Sequence, residues 1–278
     1  MISESLQKKI EQSIRLLQQV QKAHPDEVIE IAYSGGKDSD VILQLAKEAG
    51  IRYEAIYKNT TIDPPGTIRH AQDMGATIIR PKRTFAELIQ KNGAPTRFSR
   101  FCCSELKEYK VRDVSVMGIR RSESSKRAEL YSEPTACRFY GSKKNHVEAI
   151  YPILEWTNED VADYLTDRKI KCAPIYYDEK GFFHVERRLG CMCCPLASKK
   201  NRIDEFRKHP GMVRFYLRNL RIFLETHPNV NTHKNFSSEY EQFAFQVFYL
   251  DWPIKKFKSQ MFDTDWKKLL EDYFGIEL

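Results

Sequence analysis

Apolar residues near the start of the chain fall on one helical face. Leu6, Ile10, Ile14 and Leu17 recur every three or four positions, a spacing that predicts an amphipathic helix over 3–23, ended by His24-Pro25. The period then changes. Val28 to Tyr33 is a short, nearly continuous apolar run and predicts a strand. Ser34-Gly35-Gly36 interrupts it, and Asp38 to Ala49 returns to helical spacing. The same alternation continues with a strand at 53–57, a helix at 65–74, a strand at 77–80, a helix at 84–91 and a strand at 115–118. Thr157-Asn158-Glu159-Asp160 has the form of a capping box opening a helix that runs to about Thr166. Residues 200–278 are rich in aromatics and lysines and read as mostly helical.

Strands alternating with helices predict an α/β fold, with a doubly wound, mostly parallel sheet covered on both faces and a helical C-terminal extension. The boundary is expected near residue 170. An α/β domain would occupy 1–170, and a cysteine-bearing segment with the helical extension would occupy 171–278. Ligands of such sheets sit beyond the carboxyl ends of the strands. The glycine loop, residues 58–63 and residues 119–127 each follow a predicted strand and are expected to converge on one site.

Composition narrows the class. With 41% hydrophobic and 30% charged residues in 278, the chain reads as globular, large enough to bury a core without disulfide or metal staples. No stretch approaches the roughly 18 apolar residues of a membrane span. The polar start MISESLQKKIEQ does not read as a signal peptide. Seven cysteines without a secretory leader argue against a disulfide framework and for a reducing, cytoplasmic setting. The net charge of +7 suits polyanionic partners.

The chemistry begins at Ser34-Gly35-Gly36-Lys37-Asp38-Ser39. Glycines between a strand and a helix let backbone N–H groups approach an anion, and the helix N-terminus adds its dipole. Ser34 and Ser39 donate hydroxyls and Lys37 brings a point charge. Asp38 can cap the helix or hold Mg²⁺. The GxxxxGK[ST] spacing of kinase-type phosphate loops is absent. Beyond the fourth strand, Arg120 is the first and Arg127 the second candidate for bidentate contact with phosphate or sulfate. Glu123 is placed to orient an arginine or hold a metal. The cysteines cluster as Cys102-Cys103 and Cys191-Met192-Cys193-Cys194. Cys191 and Cys194 have C-x-x-C spacing, which with a second pair can supply four thiolates to zinc or an iron–sulfur cluster. Cys137 and Cys172, each isolated, read as packing residues. Trp252 to Lys258 is basic and aromatic, so it is a candidate nucleic-acid contact beside the plainer reading of a packing helix.

The six-residue loop resembles the pyrophosphate loop of the adenine-nucleotide α-hydrolase superfamily. The wider pattern is similar to that of its phosphoadenosine phosphosulfate reductase family. The matching features are the Gly118-to-Arg127 segment, Pro152-Ile153 through Trp156-Thr157 to Asp160-Val161, and a CC pair followed by C-x-x-C. The resemblance implies a Rossmann-like sheet. It implies nucleotide contacts from Ser34, Gly35, Gly36, Lys37, Asp38, Ser39, Asn59, Thr60, Arg120 and Arg127. It also implies a four-iron four-sulfur cluster on Cys102, Cys103, Cys191 and Cys194, with zinc as the alternative. Cys193 lies inside the C-x-x-C motif and competes with Cys194 as a ligand.

Family members of two kinds differ in reaction. Reductases of phosphoadenosine phosphosulfate or adenosine phosphosulfate use a cysteine in a Glu-Cys-Gly-Leu-His context, and this sequence has no cysteine after Cys194. The Gly-Cys-x-x-Cys-Pro form instead resembles relatives that activate ATP, with Mg²⁺, for sulfur transfer, including nucleic-acid thiolation. The expected reaction is therefore cleavage of ATP at the α,β bond to adenylate an acceptor. Lys37 and Asp38 would be catalytic, and Cys193 is the candidate to deliver sulfur. A sulfur-donor protein or thiol reductant is the expected partner. The alternatives are sulfonucleotide reduction, and a non-catalytic nucleotide-binding subunit with a structural metal.

Overall fold

A computed structural model describes residues 2–140, 142–227, 236–248 and 264–278, with side chains for all of these except 142–144, 199 and 248. In chain order the elements are α1 (Glu4–Ala23), β1 (Ile29–Tyr33), α2 (Lys37–Ala49), β2 (Tyr53–Lys58), α3 (Thr67–Asp73), β3 (Thr77–Ile79), α4 (Phe85–Asn92) and α5 (Phe101–Leu106). They continue with β4 (Val114–Val116), α6 (Ser125–Leu130), β5 (Thr135–Tyr140), β6 (Ser142–Ile150), α7 (Asn158–Asp167), α8 (Lys199–Lys208), α9 (Pro210–Thr226), α10 (Glu239–Phe248) and α11 (Trp266–Phe274).

The chain divides into two units. A sheet unit comprises Met1–Asn59, Asp63–Arg80 and Glu108–Gly190, and a helical unit comprises Thr60–Ile62, Pro81–Lys107 and Cys191–Leu278. The boundary expected near 170 is thus corrected. Residues 171–190 belong with the sheet, while 81–107 leave it between β3 and β4. An amphipathic pattern shows that α4 buries a face but not which core receives it, so the excursion left no mark in the sequence.

In the sheet unit the strand order is β3-β2-β1-β4-β6-β5. The first four pairings along that order are parallel and only β5–β6 is antiparallel. This is the doubly wound α/β fold anticipated from the strand–helix alternation. Ile29, Ile31 and Tyr33 of β1 are buried, as an interior parallel strand requires. Leu6, Ile10, Leu17 and Val20 of α1 form the buried stripe, and the Ser3 hydroxyl accepts the Leu6 N–H at 3.1 Å to start the helix. The chain runs outward from β1 through β2 to β3, then β4 returns to the other side of β1. The carboxyl ends of β1 and β4 therefore flank the switch point, where such sheets bind ligands.

The helical unit has its own core, including Phe85, Phe206, Tyr216, Leu220 and Phe243. Phe206 meets Phe243 edge-on at 5.5 Å between centroids. The helical reading of the C-terminal region holds for α8 to α11. The Trp252–Lys258 segment lies outside the described residues. Among the described residues no helix is long and apolar enough to cross a membrane.

Candidate functional site

The loop after β1 is built by two glycine requirements. Gly35 has φ +75°, and a Cβ there would stand 2.7 Å from the Thr67 methyl. Gly36 is the N-cap of α2 and makes no side-chain cap bond. Leading N–H groups of the helix are therefore not capped by that residue and face the loop. Ser39 Oγ donates to the Gly36 carbonyl at 2.6 Å, tightening the turn, and Ser34 Oγ lies 3.4 Å from Ser39 Oγ. Across the sheet the loop meets the end of β4. A Cβ on Gly118 would lie 2.9 Å from the Asp38 carbonyl oxygen, so the two backbones touch there.

These segments enclose a cavity of about 260 Å³. Ser34, Gly36, Lys37, Asp38 and Ser39 line it, with Gly118, Glu123 and Arg127 from beyond β4, and Tyr176 and Arg188 from a later segment. Lys37 is only 3% exposed. Its Nζ lies 3.3 Å from Asp38 Oδ2, 3.4 Å from the Arg187 carbonyl and 5.4 Å from the centre of the Tyr176 ring. Burial lowers the Lys37 pKa, the Asp38 carboxylate opposes that shift and Arg120 adds to it. Arg127 pairs with Glu123. Burial, with the neighbouring Arg188 charge, lowers the Arg127 pKa as well. The cavity is thus crowded with cations that an incoming anion would relieve.

Arg120 is placed differently from the expectation. It is 1% exposed. Its Nε donates to Asp38 Oδ1 at 2.7 Å, and its other nitrogens donate to Ser122 Oγ at 3.0 Å, to the Trp156 carbonyl and to Asn158 Oδ1 at 2.9 Å. It anchors Asp38 from below instead of reaching into the cavity. Asn59 donates its N–H to the Ile79 carbonyl at the end of β2. Thr60 belongs to the helical unit, where it is buried. Of the three loops expected to converge, the structure brings together the glycine loop and 119–127.

Tyr176 and Arg188 were not singled out from the sequence. Tyr176 follows Pro174 in a single 3-10 turn, and its hydroxyl takes hydrogen bonds from the Lys37 and Leu189 backbones. Neither residue sits in a periodic element, so no pattern marked them. Beneath the loop lies a second unforeseen group. Asp40 is fully buried and accepts from Tyr33 Oη, His70 Nε2 (3.0 Å) and the Cys172 thiol. Burial pushes the Asp40 carboxyl up, and those donors pull it back. Cys172 is therefore buried, as expected of a packing residue, but polar in use. Cys137 corrects the same expectation outright, since it is exposed on the edge strand β5.

In the helical unit, Cys102 and Cys103 on α5 and Cys191 and Cys194 on the turn before α8 line one small pocket of about 30 Å³ with Ile62, Phe85 and Leu106. A hydrogen bond with Cys103, burial, and the nearness of Cys191 and Cys194 push up the Cys102 thiol. Burial does the same to Cys194, with Lys107 opposing. Four sulfurs facing one apolar pocket form a thiolate-only donor set that suits a cluster or zinc. As they stand, among the described residues no three His, Cys, Asp or Glu side chains form a finished metal-ion site. Cys193 does not join the four. It is 1% exposed in the aromatic core, and burial pushes its thiol well above the ordinary range, contrary to the needs of a nucleophile.

Known proteins resemble the chain as follows. It is 32% identical over 184 residues to the uncharacterized protein MJ0973 of Methanocaldococcus jannaschii, covering 61% of this chain and 42% of that protein. It is 32% identical over 152 residues to the uncharacterized 37.8 kDa protein in the gpa 5' region of Escherichia phage 186, covering 49% and 42%. The matched stretch thus spans less than half the length of either relative. Among solved structures, phosphoadenylyl-sulfate reductase of Candida auris aligns with TM-score 0.41 at 16% identity, covering 62% of this chain and 90% of that one. FMN adenylyltransferase of Candida glabrata aligns with TM-score 0.40 at 14% identity, covering 64% and 63%. The model of the phosphoadenosine phosphosulfate reductase domain matches residues 29–197, from β1 through the second cysteine cluster, and the chain belongs to that family.

Proposed function

We propose that the sheet-unit cavity binds an adenine nucleotide by its phosphates, and that the chain cleaves ATP between the α- and β-phosphates to adenylate an acceptor for sulfur transfer. Nucleic acid is a candidate acceptor, and a sulfur-donor protein or thiol the candidate partner. The family supports the nucleotide. The observation that carries the choice of a triphosphate is the mixed charge of the cavity, where Asp38 and Glu123 stand among Lys37, Arg127 and Arg188. Each carboxylate is paired with cations, Asp38 with Lys37 and Arg120 and Glu123 with Arg127, and each can exchange such a partner for the Mg²⁺ that a triphosphate brings.

In this reading the loop amides, the α2 N-terminus and Lys37 hold the β,γ-pyrophosphate, and Arg127 and Arg188 neutralise the remaining charge. An acceptor oxygen attacks the α-phosphorus. The bond from that phosphorus to the bridging oxygen breaks, and pyrophosphate leaves with the electron pair while the acceptor's proton passes to solvent. A sulfur nucleophile then displaces AMP. The protein's part is positioning and charge neutralisation. Cys102, Cys103, Cys191 and Cys194 would hold a four-iron four-sulfur cluster, or zinc, and a bound cluster would supply electrons or sulfide. Cys193 is not retained as the sulfur carrier, because burial keeps its thiol neutral.

The family description keeps sulfonucleotide reduction as the second reading. One experiment separates them. Anaerobically purified chain is offered Mg²⁺–ATP with nucleic acid as acceptor and sulfide as sulfur source and, in parallel, phosphoadenosine phosphosulfate or adenosine phosphosulfate with a dithiol. AMP and pyrophosphate formed in equal amounts, and lost in Lys37→Met, support ATP cleavage. Sulfite release would replace that reading with reduction. Binding without either product would leave a non-catalytic subunit.

A further inference from the structure

The turn carrying Cys191, Cys193 and Cys194 poses a geometric problem. Three cysteines within four residues have only two places at the pocket, and the third must be turned away. Cys193 occupies the left-handed region at φ +54°, which residues with a Cβ rarely adopt. Its N–H donates to Glu205 Oε2 at 2.7 Å, a short bond to a half-buried carboxylate on α8. The rest of the turn is pinned within the same unit. Met192 N–H donates to the Ile62 carbonyl at 2.9 Å, and Arg97 donates to the carbonyls of Pro195 at 3.1 Å and Ala197 at 2.9 Å.

We propose that Glu205 is a positioning residue for the thiolate site. By accepting the Cys193 N–H it holds the left-handed turn, which sends the Cys193 side chain into the aromatic core and leaves Cys191 and Cys194 facing Cys102 and Cys103. Cys193 is thereby excluded as a ligand, although it lies next to one. Arg97 braces the same turn from its other end. The metal-binding consequence rests on the thiolate site proposed above, whereas the burial of Cys193 does not.

Two readouts keep those apart. In metal-free full-length protein, alkylation followed by mass spectrometry should label Cys193 at least about tenfold more slowly than Cys191, because a buried thiol reacts only through local opening. Glu205→Ala should abolish that difference, and Glu205→Gln, which keeps an acceptor oxygen, should preserve it. Equal labelling in the unsubstituted protein, or protection unchanged in Glu205→Ala, would overturn the proposal. After anaerobic reconstitution with iron and sulfide, Cys194→Ser should lose bound iron and Cys193→Gly should keep it. Should Glu205→Ala lose iron by misfolding, the double variant with Cys193→Gly decides. Glycine adopts the left-handed turn without help, so iron binding should return, and failure to return would count against the role given to Glu205. If the unsubstituted chain takes up neither iron nor zinc, the thiolate site itself falls, and the alkylation result still judges Glu205.

Discussion

Lys37 shows how much one buried charge can report. Its ammonium is buried in the wall of the cavity, where burial favours the neutral amine. A lysine with a lowered pKa costs stability while it is protonated, and that cost fades as pH rises through the lowered value towards 10.5. A bound phosphate reverses the preference. Nucleotide binding should therefore be accompanied by proton uptake that grows as pH rises through the lowered value towards 10.5, visible as a dependence of calorimetric heat on buffer ionisation enthalpy. Lys37→Met should remove that uptake and weaken binding by about 1.5–3 kcal/mol, the range for hydrogen bonds to charged groups. Gly118 makes a steric prediction. Gly118→Ala drives a methyl against the Asp38 backbone and should cost about 1–3 kcal/mol. Gly190→Ala, where a Cβ meets nothing within 4 Å, should cost less, as thermal unfolding would show.

At the scale of elements, legibility tracks burial. The helix at 3–23 and the strands at 28–33 and 53–57 were readable because each buries a periodic or continuous set of residues. The capping box was readable because it is local chemistry. Thr157 Oγ1 accepts the Asp160 N–H at 3.2 Å, and Asp160 accepts the Thr157 N–H at 2.7 Å and the Lys9 ammonium at 2.5 Å. The β5–β6 hairpin was missed because β5 is largely exposed on both faces and has no alternation to read. The helix α5 was missed because Leu106 is its one fully buried side chain. The capping box has a pH signature. Burial alone would raise the Asp160 pKa, but Lys9 and the Thr157 N–H outweigh it and the net shift is downward. The stabilisation is complete above the ordinary value of 3.8 and is lost as pH falls through the lower folded value. Asp160→Ala should cost about 0.5–2 kcal/mol at neutral pH. The difference from the unsubstituted protein should shrink in strong acid, as urea titrations at the two conditions would show.

At the scale of the molecule, the glycine loop and its placement were legible, since it stands between a continuous apolar strand and a helix of clear period. Its walls were not. Arg188 and Tyr176 come from a segment with no α-helix or named strand more than 130 residues later, and only the tertiary fold brings them to the loop. Arg120 was legible as important but not as a buried brace, because sequence does not say which arginine turns inward. The two cysteine pairs were legible as a set, although the excursion that joins them in one helical unit was not.

Binding of a nucleotide's phosphates in the sheet-unit cavity is read by calorimetric titration with Mg²⁺–ATP. The unsubstituted chain should bind one equivalent, with affinity reduced at least about tenfold in both Lys37→Met and Arg188→Ala, each losing a charge-assisted contact. Affinity unchanged in both variants would place the nucleotide outside this cavity.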